Sequence, residues 1–156
     1  MATRRDAREW ALQIVFSLDL NTREELNRVF DDFFASNPCE DASARAFCES
    51  LVRGVVAERA TIDEAIGRYA EHWSLKRMGV VDRNVLRIAL YELTFRPEVP
   101  PAVVINEAID IAKYFSNSES GRFINGILDR ARKELEQQRN GDEKPSNGRD
   151  GQRRHG

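Results

Sequence analysis

The sequence has 156 residues, 41% hydrophobic and 32% charged, with a net charge of −2. This composition fits a soluble globular domain, or two small subdomains that share a core, and it lacks the basic footprint of a protein that binds nucleic acid strongly by itself. An apolar run of about eighteen residues is absent, and the N-terminus MATRRDAREW carries no apolar signal segment, so a cytoplasmic location with no membrane contact is expected.

Three or four amphipathic helices are predicted in the first half of the chain. In each of them, apolar residues recur at the helical spacing that places them on one face. The residues expected to begin the first three are Thr3, Thr22 and about Ser43, and at Thr61 a fourth helix starts or the third continues. Thr3 is followed by Asp6 at the spacing of a capping box. Cys48 falls on the third apolar stripe, so we expect a small buried hydrophobe rather than a disulfide partner.

Three arginines lie close to the start of the first helix. Arg4, Arg5 and Arg8 are three or four positions apart, so their guanidinium groups are expected to converge at the surface. Arginines at a helix N-terminus oppose the helix dipole, and a bound phosphate would relieve this. The alternative is a solvated face on which Arg5 pairs with Glu9.

A central buried helix is predicted in the second half of the chain. The segment HWSLKRMGVVDR has weak periodicity and is interpreted as a loop or a short turn. From Asp82 to Leu93, apolar residues occupy almost every side, which is typical of a helix that runs through the middle of a protein.

Residues 103–131 are predicted to form two apolar helices joined by the polar hinge SNSESG. Pro100 and Pro101 precede the first, where a proline is tolerated because its missing N–H would have no intrahelical partner. Asn125 and Gly126 interrupt the second. Because glycine in a helix interior costs about 1 kcal/mol relative to alanine, we expect Gly126 to permit close helix packing, with a direct functional contact as the alternative.

The C-terminal segment differs from the rest of the chain in composition. Apolar residues stop after Leu135, so we expect a folded domain over residues 1–136 and a disordered polar tail over 137–156. Strand-like alternation does not occur, and the predicted fold class is all-α with about seven helices.

The sequence offers little that would support catalysis. His72 and His155 are the only histidines, and their placement gives neither a metal-ligand spacing nor a histidine-based catalytic site. We also find no phosphate-binding glycine loop and no nucleophile motif. The sequence therefore predicts a binding protein without a cofactor or metal rather than an enzyme.

Several blocks of the sequence resemble one family. INEAIDIAKYFS, SGRFINGILDRA and VDRNVLRIALYEL, with the arginine-bearing first helix, are similar to the NusB family of transcription antitermination factors from about Arg4 to Leu135. The resemblance implies two small helical bundles packed across one another. It also implies binding to boxA RNA of nascent ribosomal transcripts together with NusE, a ribosomal small-subunit protein, so that elongation by RNA polymerase is modified.

The resemblance also implies site residues. The RNA surface would comprise Arg4, Arg5, Arg8, Tyr69, Glu119, Arg122 and Phe123. The NusE surface would lie around Asp82, Arg83 and Leu86. Arginines hold phosphates and an aromatic ring can stack on a splayed base, but Asp6 interrupts the arginine run, so modest RNA affinity without NusE is expected.

Two other functions stay open on the sequence. The same helical module occurs joined to rRNA cytosine methyltransferases, and we expect this alternative to hold only if the sequence is part of a longer chain, since 156 residues leave no room for a cofactor-binding domain. The other alternative is a helical adaptor that binds proteins and not RNA. Some members of the family are homodimers, and the sequence does not distinguish a monomer from a homodimer.

Overall fold

The structure, a computed structural model, describes residues 2–20, 25–71 and 77–155, with side chains as far as residue 141 apart from 19 and 20. The described residues form seven α-helices. These are α1 (Arg4–Leu20), α2 (Leu26–Ser36), α3 (Ala42–Ala57), α4 (Arg59–Tyr69), α5 (Val80–Phe95), α6 (Pro101–Phe115) and α7 (Ser118–His155). The predicted helix start at Thr22 and the loop residues His72 and Lys76 lie outside the described residues.

Short polar side chains begin three of the helices. At α1, Asp6 N donates to Thr3 Oγ1 at 3.0 Å and Thr3 N donates to Asp6 Oδ2 at 2.9 Å, so the capping box is confirmed. Asp41 accepts from Ala44 N at 3.1 Å and begins α3 just before the predicted start. Asn117, in the polar hinge, accepts from Ser120 N at 2.9 Å and begins α7.

Helix α5 is the centre of the fold, as its sequence predicted. It contacts α1 and α3 of the earlier part of the chain, and also α4, α6 and α7. The first three helices form one bundle and the last four form a second, with a common core running through α5. The all-α prediction and the two packed bundles are thereby confirmed for the described part of the chain.

The close packing expected at Gly126 is wrong. A Cβ atom built on Gly126 meets no heavy atom within 4 Å, so this glycine faces open space. The tight approach between α6 and α7 occurs at Gly121, where a Cβ atom would lie 2.9 Å from Cε of Lys113 and 3.3 Å from Cγ2 of Ile109. The sequence pattern gave no sign that Gly121, rather than Gly126, is the glycine at the close approach.

The last helix continues through the segment that was expected to be disordered. Its described backbone is helical as far as His155, and its side chains are described as far as Gly141. The boundary at residue 136 and the polar tail beyond it stay predictions from composition. Among the described residues, no helix is both long and apolar enough to span a membrane.

Candidate nucleic-acid interface

The three N-terminal arginines do not converge. Arg8 is buried and forms a bidentate ion pair with Glu92 of α5, with Nε donating to Oε2 at 2.9 Å and Nη2 donating to Oε1 at 2.8 Å. Arg8 and Glu92 are 4% and 1% exposed, so the expectation of a surface arginine is wrong at this position. Position 8 points inward because it lies four and seven residues before the buried Leu12 and Val15, and therefore on the same face of α1.

Arg4 is the arginine of this group that is exposed, and it lies against an aromatic ring. Its guanidinium carbon is 3.9 Å from the centroid of Phe47, a buried residue of α3, and that of Arg8 is 5.3 Å from the same centroid. A cation over an aromatic face is attracted by the ring quadrupole. Phe47 therefore holds two arginines from successive turns of α1.

Arg5 points toward α6 instead. Its guanidinium group donates to Glu107, and Nη2 also donates to Asp110 Oδ2 at 3.0 Å. The hydrogen bond with Glu107 is the main cause of a raised pKa at Arg5. The alternative pairing of Arg5 with Glu9 is replaced by these contacts, and Glu107 is half-buried rather than on a solvated face.

Acidic groups surround Arg5. Burial raises the pKa of Glu9, and the nearby charges of Asp6 and Glu107 raise it further. Arg5 is thus a cation that links α1 to α6 within a group of carboxylates, and these carboxylates repel a phosphate that approaches it.

A surface cleft of about 260 Å³ lies where α5 and α7 begin. Its lining consists of Arg77, Met78, Gly79, Asp82, Asn117, Glu119, Ser120 and Phe123. It brings together Glu119 and Phe123, from the expected RNA surface, and Asp82, from the expected NusE surface. Arg122 is exposed on α7 between Glu119 and Phe123 in sequence.

Asp82 places a partly buried carboxyl group in this cleft. Burial raises the pKa of its carboxyl, and the neighbouring Ser120 hydroxyl opposes that shift in part. Asp82 Oδ1 is buried and accepts no hydrogen bond from the residues that the structure describes. A buried carboxylate oxygen without a donor is costly, so a donor brought by a bound molecule would be favoured there.

The remaining expected site residues lie elsewhere. Tyr69 is buried and lines a different cleft, between α4 and α7, together with Leu135. Leu135 is about 18 Å further along α7 than Phe123 at the helical rise per residue, so Tyr69 is not brought beside Phe123. Arg83 is half-buried, and Leu86 is fully buried, so Leu86 can shape a partner surface only through packing.

Two residues of this region were missed in the sequence. Phe47 falls on the apolar stripe of α3, where nothing in the spacing separates it from an ordinary core residue. Glu92 did carry a signal: it is a charged residue in a helix that is apolar on almost every side, and a buried charge requires a partner.

The described residues form a small all-helical protein in which Arg4 is exposed over the ring of Phe47 and Phe123 lines a surface cleft. The NusB family model matches residues 5–133. Transcription antitermination protein NusB of Geotalea uraniireducens (strain Rf4) is 46% identical over 135 residues, which cover 83% of this chain and 93% of that protein. Its counterpart in Elusimicrobium minutum (strain Pei191) is 45% identical over 137 residues, which cover 86% and 96%.

Solved structures agree with this match. The structure of T. maritima NusB has a TM-score of 0.77 and 40% identity, covering 85% of this chain and 92% of that one. A structure of antitermination factors NusB and NusE in complex with dsRNA has a TM-score of 0.76 and 28% identity, covering 83% and 96%. The chain belongs to the NusB family. The relatives of this family named above are transcription antitermination proteins.

Proposed function

We propose that this chain is a cytoplasmic antitermination factor that binds boxA-type RNA of nascent ribosomal transcripts together with NusE and so modifies elongation by RNA polymerase. The relatives named above are antitermination proteins, and one solved neighbour is a complex of NusB and NusE with dsRNA. Since the chain covers more than nine-tenths of those relatives, an antitermination factor is favoured over the RNA-binding module of a methyltransferase.

The observation that carries the RNA part of the proposal is the placement of Arg4. It is exposed, stacks on Phe47, and lies in the first turn of α1, where the Asp6 N–H already donates to Thr3 Oγ1 and the N–H groups before it have no acceptor within the helix. A guanidinium group beside such donors is a phosphate site. Arg8 and Arg5 have structural roles beside it: Arg8 holds α1 on α5 through its buried pair with Glu92, and Arg5 links α1 to α6.

A second contact is proposed at the cleft where α5 and α7 begin. There Phe123 offers an aromatic ring at a helix start, with Arg122 exposed beside it and Glu119 one turn earlier. Helix α6 lies between the two regions: Asp110 contacts Arg5, and Lys113 packs on Gly121 of α7. An RNA strand that reaches both regions would therefore cross α6.

The NusE surface is proposed at the start of α5, around Asp82 and Arg83. The cleft there is lined by two carboxylates, Asp82 and Glu119, and no described residue donates to the buried oxygen of Asp82. A basic partner that supplies a donor would complement both features. Because Phe123 lines the same cleft, bound RNA and NusE would be neighbours.

Titration of the full chain with boxA-type RNA across salt concentrations, with and without NusE, tests the proposal. Each phosphate contact contributes about 0.7 to the slope of log affinity against log salt for single strands, so Arg4→Ala should lower the slope by about that amount. Arg28→Ala, at an exposed arginine of α2, is the control and should leave the slope unchanged.

The adaptor alternative predicts a different result. A chain that binds only proteins would retain NusE and show no measurable affinity for boxA-type RNA at any salt concentration. That result, or equal slopes for Arg4→Ala and the unmodified chain, would contradict the proposed RNA contact.

A further inference from the structure

Phe47 connects the exposed and the buried arginine of α1. Its ring is nearly covered, lies 3.9 Å from the Arg4 guanidinium carbon and 5.3 Å from that of Arg8, and is held on α3. Arg8 cannot move away from it readily, because both oxygens of Glu92 accept from its guanidinium group. The Phe47 ring, held in place next to the paired Arg8, is therefore a rigid surface on which the Arg4 guanidinium group stacks.

A rigid ring under an arginine lowers the conformational entropy that the side chain loses when it binds a ligand. An exposed arginine has many rotamers, and ordering a rotamer-rich side chain on binding weakens affinity. Stacking on Phe47 restricts those rotamers before the ligand arrives, and it leaves the edge of the guanidinium group, which carries the N–H donors, available to a phosphate.

We propose that Phe47 is a positioning residue for RNA binding, which holds the Arg4 guanidinium group where it meets a phosphate, and that the Arg8–Glu92 pair anchors this arrangement. Phe47 itself is buried and does not contact RNA. The inference rests on the proposed function, specifically on the contact between Arg4 and a phosphate.

A double-mutant cycle on the full chain tests the inference with a boxA-type RNA oligonucleotide. Phe47→Leu keeps an apolar side chain but removes the aromatic face, and it should weaken RNA binding by about 2–5-fold. In a chain that already carries Arg4→Ala, the same change should have no further effect, because Phe47 acts through Arg4. Phe47→Tyr, which retains a ring, should restore the affinity.

Phe34→Leu is the matched control. Phe34 is similarly buried and lies under another arginine, with the guanidinium carbon of Arg45 4.6 Å from its ring centroid. Its replacement should lower the thermal midpoint by an amount similar to Phe47→Leu and leave RNA affinity unchanged. A loss of RNA affinity in both variants alike would mean that general destabilisation is the cause, and this would overturn the inference.

The outcomes separate the two proposals. If Arg4→Ala leaves RNA affinity unchanged, both the phosphate contact and the positioning role are wrong. If Arg4→Ala weakens binding while Phe47→Leu does not, or if Phe47→Leu has the same effect in both backgrounds, the positioning role alone is overturned.

One measurement needs no variant of Phe47 and applies even if Phe47→Leu does not fold. In the unmodified chain, the ring current of Phe47 should shift the NMR resonances of the Arg4 side-chain protons upfield of those of exposed Arg28. Coincident resonances for Arg4 and Arg28 would overturn the inference.

Discussion

Gly54 on α3 and Tyr91 on α5 lie so close that a Cβ atom built on the glycine would overlap Cζ of the tyrosine ring. The ring has little freedom to withdraw, because it also stacks on Phe95 at 5.5 Å between centroids. This approach lets the first bundle pack directly on the central helix. Position 54 is thus a glycine because of its neighbour on α5, and the helical pattern of α3 alone gives no sign of it.

Gly54→Ala is therefore expected to destabilise the fold. The added methyl group forces the Tyr91 ring to move, and overpacking of this kind costs about 1–3 kcal/mol in the free energy of unfolding. Gly126→Ala is the control, because its Cβ atom meets no neighbour within 4 Å and alanine favours a helix by up to about 1 kcal/mol. Urea denaturation measures the free energy of unfolding of both variants. Equal stability of the two variants would contradict the assignment of close packing to Gly54.

The Arg8–Glu92 pair predicts a second difference in stability. Glu92→Ala leaves the Arg8 cation buried without its partner, which should cost about 3–5 kcal/mol in the free energy of unfolding. The double change Arg8→Met with Glu92→Leu removes both charges and should recover most of that loss.

Arg5→Ala provides the comparison for an ion pair nearer the surface. The Arg5 side chain is 38% exposed, so its pairs with Glu107 and Asp110 should contribute about 1 kcal/mol or less. Chemical denaturation measures the free energy of unfolding of Glu92→Ala, of the double change at Arg8 and Glu92, and of Arg5→Ala. A loss at Glu92→Ala no larger than that at Arg5→Ala would show that the buried pair does not hold α1 on α5 as inferred.

The two cysteines predict a difference in reactivity. Cys48 is fully buried, as its place on the apolar stripe indicated, and burial raises the pKa of its thiol to about 12. Because the thiolate is the reactive form, Cys48 should resist alkylation at pH 8 until the chain unfolds. Cys39 is partly exposed and should react in the folded state.

Mass spectrometry after brief alkylation measures this difference. A single label on the native chain, absent from Cys39→Ser, is expected, and a second label should appear in urea. Rapid double labelling without denaturant would contradict the burial of Cys48.

The sequence predicted the helices well because each has an apolar stripe at helical spacing, and it predicted α5 as the centre because apolar residues occupy almost every side of it. It did not predict the arginine contacts. Spacing along α1 fixes which side chains share a face, but only tertiary packing directs Arg8 to Glu92 and Arg5 to Glu107.

Among the expected binding residues, too, the sequence predicted those that share one helix and missed those whose position depends on tertiary packing. Glu119 and Phe123 are one turn apart on the same face of α7, and the structure places them in one cleft. Tyr69 comes from α4, and its position depends on how α4 packs against the later part of α7. Phe47 could not be found from the sequence, because a ring that supports a cation and a ring that fills a core follow the same spacing.

The last prediction is that RNA and NusE bind cooperatively. Asp82, from the proposed NusE surface, and Phe123, from the proposed RNA surface, line one cleft, so each ligand would contact or order the side chains that the other uses. A coupling free energy of about 1–3 kcal/mol, or about 5–150-fold in affinity, is typical, and linkage requires NusE to bind more tightly to the RNA complex by the same factor.

Asp82→Lys tests where this coupling arises. Charge reversal should weaken binding of a basic partner and lower the coupling, while RNA affinity of the chain alone should not fall, because a new cation in the cleft attracts phosphate. Asp32→Lys, at an exposed position of α2, is the control for the change in net charge and should leave the coupling intact.

Calorimetric titration of RNA with and without saturating NusE measures the coupling free energy. Equal RNA affinities in the two titrations would refute cooperativity. A loss of RNA affinity by Asp82→Lys in the absence of NusE would instead place Asp82 in the RNA surface, because the carboxylate would then be a group that the RNA itself requires.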